Sequence, residues 1–94
     1  MRQVRVKPVA FRYFHNSKIY YLIGTVLDPV IDENSIILPR GTIIQLVFNS
    51  ATLNQINLQE SNELLCFVDD LAQETIFRGR PVLRFTANQI HANH

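Results

Sequence analysis

The stretch Ile36-Ile37-Leu38-Pro39-Arg40-Gly41-Thr42-Ile43-Ile44-Gln45-Leu46-Val47-Phe48 sets two apolar runs on either side of a Pro-Arg-Gly corner. Proline fixes φ near −65°, which suits the second position of a turn, and glycine accepts the positive φ that a corner demands. Leu38, preceding proline, is pushed towards extended backbone. Thr42 to Phe48 is rich in β-branched and aromatic residues and reads as a strand. Alternation puts Thr42, Ile44, Leu46 and Phe48 on one face and Ile43, Gln45 and Val47 on the other. Both faces are mostly apolar, so this strand is expected to be covered on both sides, by the rest of the chain or by a second chain. The Pro-Arg-Gly corner itself reads as a hairpin corner.

Upstream, Gln3 to Lys7 alternates as a half-exposed strand, with Val4 and Val6 inward. Val9, Phe11 and Tyr13 carry the opposite parity. A bulge or bend at Pro8 reconciles the two phases, and the proline marks an edge strand. His15 to Lys18 is a polar turn leading into a second strand, Ile19 to Leu27, to give a hairpin. Asp28 to Ser35 reads as a surface loop. Downstream, Asn49 to Gln59 is amide-rich and irregular, with room for one helical turn or for a short strand through Ile56 and Leu58.

Residues 61–75 admit two readings. As a helix, Ser61 is an N-cap and Leu64, Val68, Leu71 and Thr75 form a stripe. As strands, Leu64 to Val68 runs into a turn at Asp69-Asp70. The compact apolar run favours strand. Glu74 to Thr86 reads as a last strand bent at Gly79 or Pro81, and residues 88–94 as a flexible polar tail. The fold expected is therefore mainly β: one domain over residues 1–87, a small barrel or sandwich of five or six strands with at most one short helix. An α+β domain with a helix at 61–75 is the alternative.

The chain of 94 residues holds nine Lys and Arg against eight Asp and Glu, a formal charge of +1. Such a balance argues against a dedicated duplex-DNA binder. The charge is segregated, however. Residues 2–18 carry five basic and no acidic residues, while every carboxylate lies within 28–33 or 60–74. One cysteine gives no internal disulfide, and no signal peptide or membrane-length apolar run is visible, so a soluble cytoplasmic protein is expected.

No constellation of catalytic residues is legible. Cys66, between Leu65 and Phe67, reads as a small buried hydrophobe rather than a nucleophile. His91 and His94 have no third ligand at supporting spacing, the carboxylate groups have no calcium-loop pattern, and the glycines are isolated. No enzyme activity, metal or cofactor is expected. Two binding functions are. The first is a protein-interaction module, a homodimer or a subunit of a larger assembly, using Tyr20, Tyr21, Ile43, Gln45 and Val47. The second is single-stranded nucleic-acid binding through a basic face of Arg5, Lys7, Arg78, Arg80 and Arg84, with Tyr13, Phe14, Tyr20 or Tyr21 as stacking platforms. The basic residues merge into one face if the first and last strands are neighbours.

Overall fold

The computed structural model describes residues 2–32, 35–53 and 56–93. It is mainly β, as expected, and residues 61–75 contain strands rather than a helix. The strands are β1 (Arg2–Phe14), β2 (Ile19–Val26), β3 (Val30–Asp32), β4 (Ser35–Leu38), β5 (Ile43–Asn49), β6 (Glu63–Val68), β7 (Gln73–Phe77) and β8 (Arg80–Asn93), with one 3-10 turn at Ser50–Leu53. Pairing runs β5-β2-β1-β6-β8, and β5 also pairs with β8, so five strands close into a barrel. The closing ladder is parallel, from Ile44 opposite Leu83 to Val47 opposite Thr86. β7 extends the sheet as a hairpin arm on β8, and β3 and β4 form a separate two-stranded hairpin.

The opening stretch divides between two tasks. Ile44, Leu46 and Phe48 line the interior of the barrel, while Ile43, Gln45 and Val47 face out, exposed or half-buried. Leu38, at the end of β4, joins the core before β5 begins, with Val30 and Ile37 packed against it. Beyond β5, Leu53, Ile56 and Leu58 join the core at the opposite end of that strand. Leu58 lies in a turn, so the short strand considered there does not form. The Pro39-Arg40-Gly41 corner is real: Gly41 has φ 88° and the Thr42 N–H donates to the Pro39 carbonyl at 3.2 Å. It is not a hairpin, because β4 pairs with β3 and β5 with β2 and β8. The corner is pinned instead to the end of β2, with the Gly41 N–H donating to Val26 O at 2.8 Å and the Val26 N–H to Thr42 O at 2.8 Å.

The phase change in β1 is a bulge, as the parity required. Pro8 faces Gly24 and Ala10 faces Ile23, leaving Val9 as the extra residue. The strand is not an edge over its whole length, since Arg2 to Val6 pair with β6. That ladder ends at Val6, so Pro8 falls where no partner on the β6 side needs its N–H. Gly24 is the other half of the device. A Cβ there would stand 3.1 Å from Val6 Cβ, tighter than ordinary packing, so a side chain would push the two strands apart by a few tenths of an ångström.

Three expectations are corrected. The loop at 28–35 contains β3 and runs into β4; Glu33 and Asn34 lie outside the described residues, as do Asn54 and Gln55 further on. The single bent strand at 74–86 is a hairpin, β7 and β8, joined by Arg78 (φ 51°) and Gly79 (φ 75°). Two positive φ values make a tight two-residue turn whose twist suits the flanking strands. The flexible tail from residue 88 is strand as far as Asn93, paired with β6 from Val68–Ala87 to Glu63–Asn93, with Ile90 in the core. A second bulge, at Asn88, hides this strand from the alternation. Inward positions switch from Leu83, Phe85 and Ala87 to Ile90 and Ala92, which breaks the period of two. The Asn88 amide donates to Asp69 Oδ1 at 2.6 Å, tying the bulge to the end of β6.

Cys66 is fully buried in β6, and desolvation pushes its thiol up to about 12. The unfolded chain releases this proton above about pH 9, the folded chain only near 12. Folded stability therefore falls as pH rises between the two values. Native protein is expected to resist a disulfide-exchange thiol reagent at pH 8 and to react stoichiometrically in denaturant. Gly24→Ala is expected to cost about 1–3 kcal/mol by overpacking against Val6, and Gly24→Ala with Val6→Ala to cost less than the sum of the single changes. Urea unfolding measures both.

Candidate nucleic-acid groove

The outward faces of β1, β2 and β5 form an open groove of about 330 Å³, lined by Ala10, Phe11, Arg12, Phe14, Tyr21, Ile23, Gln45 and Phe77. Strand register assembles it. Ala10 is opposite Ile23 and Arg12 opposite Tyr21 across β1–β2; Ile23 is opposite Gln45 across β2–β5. Phe77 comes from the β7–β8 hairpin. Ile23 is 5% exposed yet does not belong to the barrel core, so its side chain forms an apolar floor outside the barrel.

Arginines sit on the aromatic rings of this face. The guanidinium of Arg12 lies 5.0 Å from the Phe14 ring centroid, that of Arg84 5.3 Å from Tyr21, and that of Arg78 5.1 Å from Phe77. Such cation–π placements hold the rings and the charges together. Arg84 is fixed most firmly: its Nε donates to Gln45 Oε1 at 2.6 Å and its terminal nitrogen donates to Thr75 Oγ1 at 3.1 Å. Among the described residues, no carboxylate pairs with Arg12, Arg78, Arg80 or Arg84.

Four carboxylates, Asp28, Asp32, Glu63 and Asp70, engage other arginines. Arg5 binds Asp28 and, at 2.8 Å, Glu63, and these two hold its guanidinium above the usual arginine range, the Glu63 hydrogen bond first. Arg2 reaches Asp32 and Asp70, each at 3.4 Å. Arg5, named with the basic face, is thus already neutralised. Lys7 is exposed beside a different hollow, with Pro8, Val9 and Leu58. The merging of first- and last-strand charge does not occur, because β6 stands between β1 and β8. Arg80 and Arg84 do share the outward face of β8, but Arg78 lies in the hairpin turn.

The aromatics divide by face. Tyr21 and Phe14 meet edge-on at 5.2 Å and line the groove. Tyr20 turns the other way, stacked on Phe48 at 5.4 Å and against Tyr13 at 4.5 Å. Of the proposed interaction residues, Tyr21 and Gln45 therefore belong to the groove, Ile43 and Val47 to the outward face of β5, and Tyr20 to the opposite side. Sequence reasoning missed Arg12, Ile23 and Phe77. The bulge at Val9 was the available signal for Arg12, since it puts Arg12 and Phe14 in phase on the outer face.

Among the described residues no group of three His, Cys, Asp or Glu could hold a metal ion, and no helix is long and apolar enough to cross a membrane. The molecule is thus a small closed β-barrel carrying an aromatic, arginine-bearing groove. The chain has no significant match among protein-family models, curated proteins or solved structures.

Arg84 joins three strands through its two hydrogen bonds. Arg84→Leu is expected to lower the unfolding free energy by about 1–2 kcal/mol, read from urea midpoints at constant m.

Proposed function

We propose that the protein binds single-stranded nucleic acid in the groove over β1, β2 and β5. The observation that carries this reading is the coincidence, on one face, of Phe14, Tyr21 and Phe77 with arginines that no carboxylate of the described residues neutralises. Unpaired bases need aromatic faces to stack on, and their phosphates need cations whose charge is not already spent. An overall charge near zero does not oppose this, because four of the eight acidic residues are drawn to Arg2 and Arg5.

The connectivity supports it as well. Three strands meander (β1, β2, β5), the third runs parallel to the last (β8), and the first pairs antiparallel with the fourth (β6). This is the strand order of the oligonucleotide/oligosaccharide-binding barrel. In that architecture ligands lie across the second and third strands, between the loops that follow the first and fourth. Here those strands are β2 and β5, and the connections are the β1–β2 turn and the β7 arm. Fold alone does not carry function; the groove's side chains do.

Protein binding is a second reading. Ile31 and Ile36 are opposite one another on the β3–β4 hairpin and are 62% and 61% exposed, an apolar pair apart from the groove. A partner or a second copy would cover it. Light scattering that finds a monomer for both native protein and Ile31→Ser/Ile36→Ser counts against self-association there.

Fluorescence anisotropy with a labelled single-stranded oligonucleotide tests the first reading. Binding is expected at low salt, with affinity falling steeply as salt rises. Tyr21→Ala or Phe14→Ala should remove about 1–3 kcal/mol each, roughly 5- to 150-fold in Kd. Arg12→Ala should shrink the salt slope by about 0.7 for each phosphate that the arginine neutralises in the native protein. Arg5→Gln should leave that slope unchanged. Absence of binding at low salt, or equal weakening by Arg5→Gln and Arg12→Ala, rejects the proposal.

A further inference from the structure

We infer that Gln45 makes the groove discriminate among bases by their 4- or 6-substituent, favouring a keto oxygen there, as in thymine or uracil and guanine-type purines, over the amine of cytosine and adenine. The inference rests on the groove being the nucleic-acid site. Its basis is the way Arg84 fixes the Gln45 carboxamide. A guanidinium has only N–H donors, so the atom facing Arg84 Nε at 2.6 Å is the amide oxygen. The usual ambiguity between the two ends of a glutamine amide is thereby removed. Arg84 is itself held by Thr75 and by the ring of Tyr21, so the amide cannot turn without breaking that arrangement.

The amide nitrogen is then the end left over. It makes no hydrogen bond within the described residues, it is not a buried unsatisfied atom, and Gln45 lines the groove. Gln45 is opposite Ile23 and two residues from Val47, which faces Tyr21. A base lying in the groove beside Tyr21 would meet a fixed N–H donor at its edge. O4 of thymine or uracil and O6 of guanine or hypoxanthine accept from such a donor. At that same position the N4 amine of cytosine and the N6 amine of adenine donate and so oppose the Gln45 donor, and their ring-nitrogen acceptors are reached only if the base shifts along its edge. The oxygen that could have accepted from those amines is occupied by Arg84.

The test compares bases of equal ring size, so that the ring area offered for stacking is matched, and the Gln45 variants control for differences between the strands themselves. Oligodeoxythymidine is set against oligodeoxycytidine, and oligodeoxyinosine against oligodeoxyadenosine, by anisotropy at one salt concentration. The keto member of each pair is expected to bind roughly three- to tenfold more tightly. In Gln45→Glu one carboxylate oxygen faces Arg84 and the other faces the groove as an acceptor, so the ratio within each pair should invert. In Gln45→Met, which keeps the volume and removes the donor, the ratio should fall to near one. Equal affinity within both pairs for the native protein overturns the inference while leaving the groove reading standing. A keto preference that survives both substitutions overturns it as well. Failure of all four oligonucleotides to bind overturns the groove reading and this inference with it.

Discussion

The parallel ladder between β5 and β8 is the constraint on which the rest depends. Without it, β5-β2-β1-β6-β8-β7 is an open sheet with β5 at its edge, and Ile44, Leu46, Leu83 and Phe85 have no closed interior to fill. Closure covers the apolar β5 edge, which would otherwise invite pairing with other chains. It joins residues about forty apart in sequence, so its loop-closure entropy must be met before any local contact rewards it. The bulges at Val9 and Asn88 and the missing side chain at Gly24 are the local means by which strands of this length bend enough to close.

The same ladder assembles the groove. Gln45 opposite Arg84 is one of its rungs, and that register places the guanidinium between the amide of β5, the hydroxyl of β7 and the ring of β2. The site's polar centre is thus a consequence of barrel closure. A slip of one residue would exchange inner and outer faces, burying the arginine and exposing Phe85. Charge follows a similar logic. Asp28 and Glu63 are far apart in sequence, and both reach Arg5 because β1 lies between β2 and β6. Those two carboxylates are taken up there, and among the described residues the outward arginines near β7 and the β1–β2 turn have no carboxylate partner.

Much of the framework was legible. The bulge near Pro8 followed from parity, the β1–β2 hairpin from its polar turn, the two-faced character of β5 from alternation, and the burial of Cys66 from its neighbours. The failures have two local causes. Arg78-Gly79 was not recognised as a two-residue turn, because the residue before glycine there is more commonly asparagine or aspartate. The strand through Asn93 was hidden by the bulge at Asn88, which shifts the apolar phase and makes Ala87, Ile90 and Ala92 look unpatterned. There a single extra residue erased a period-two signal.

The sequence by itself determined which segments are extended, where Pro and Gly force corners, and which faces are apolar, since these depend on backbone sterics and nearest-neighbour alternation. Tertiary structure alone decided which strands meet. It turned the corner at Pro39–Gly41 from a hairpin into a passage between two pairings. It also separated Arg5, held by carboxylates, from Arg84, held on Tyr21. Those outcomes depend on contacts between residues tens of positions apart, and local composition holds no record of such distances.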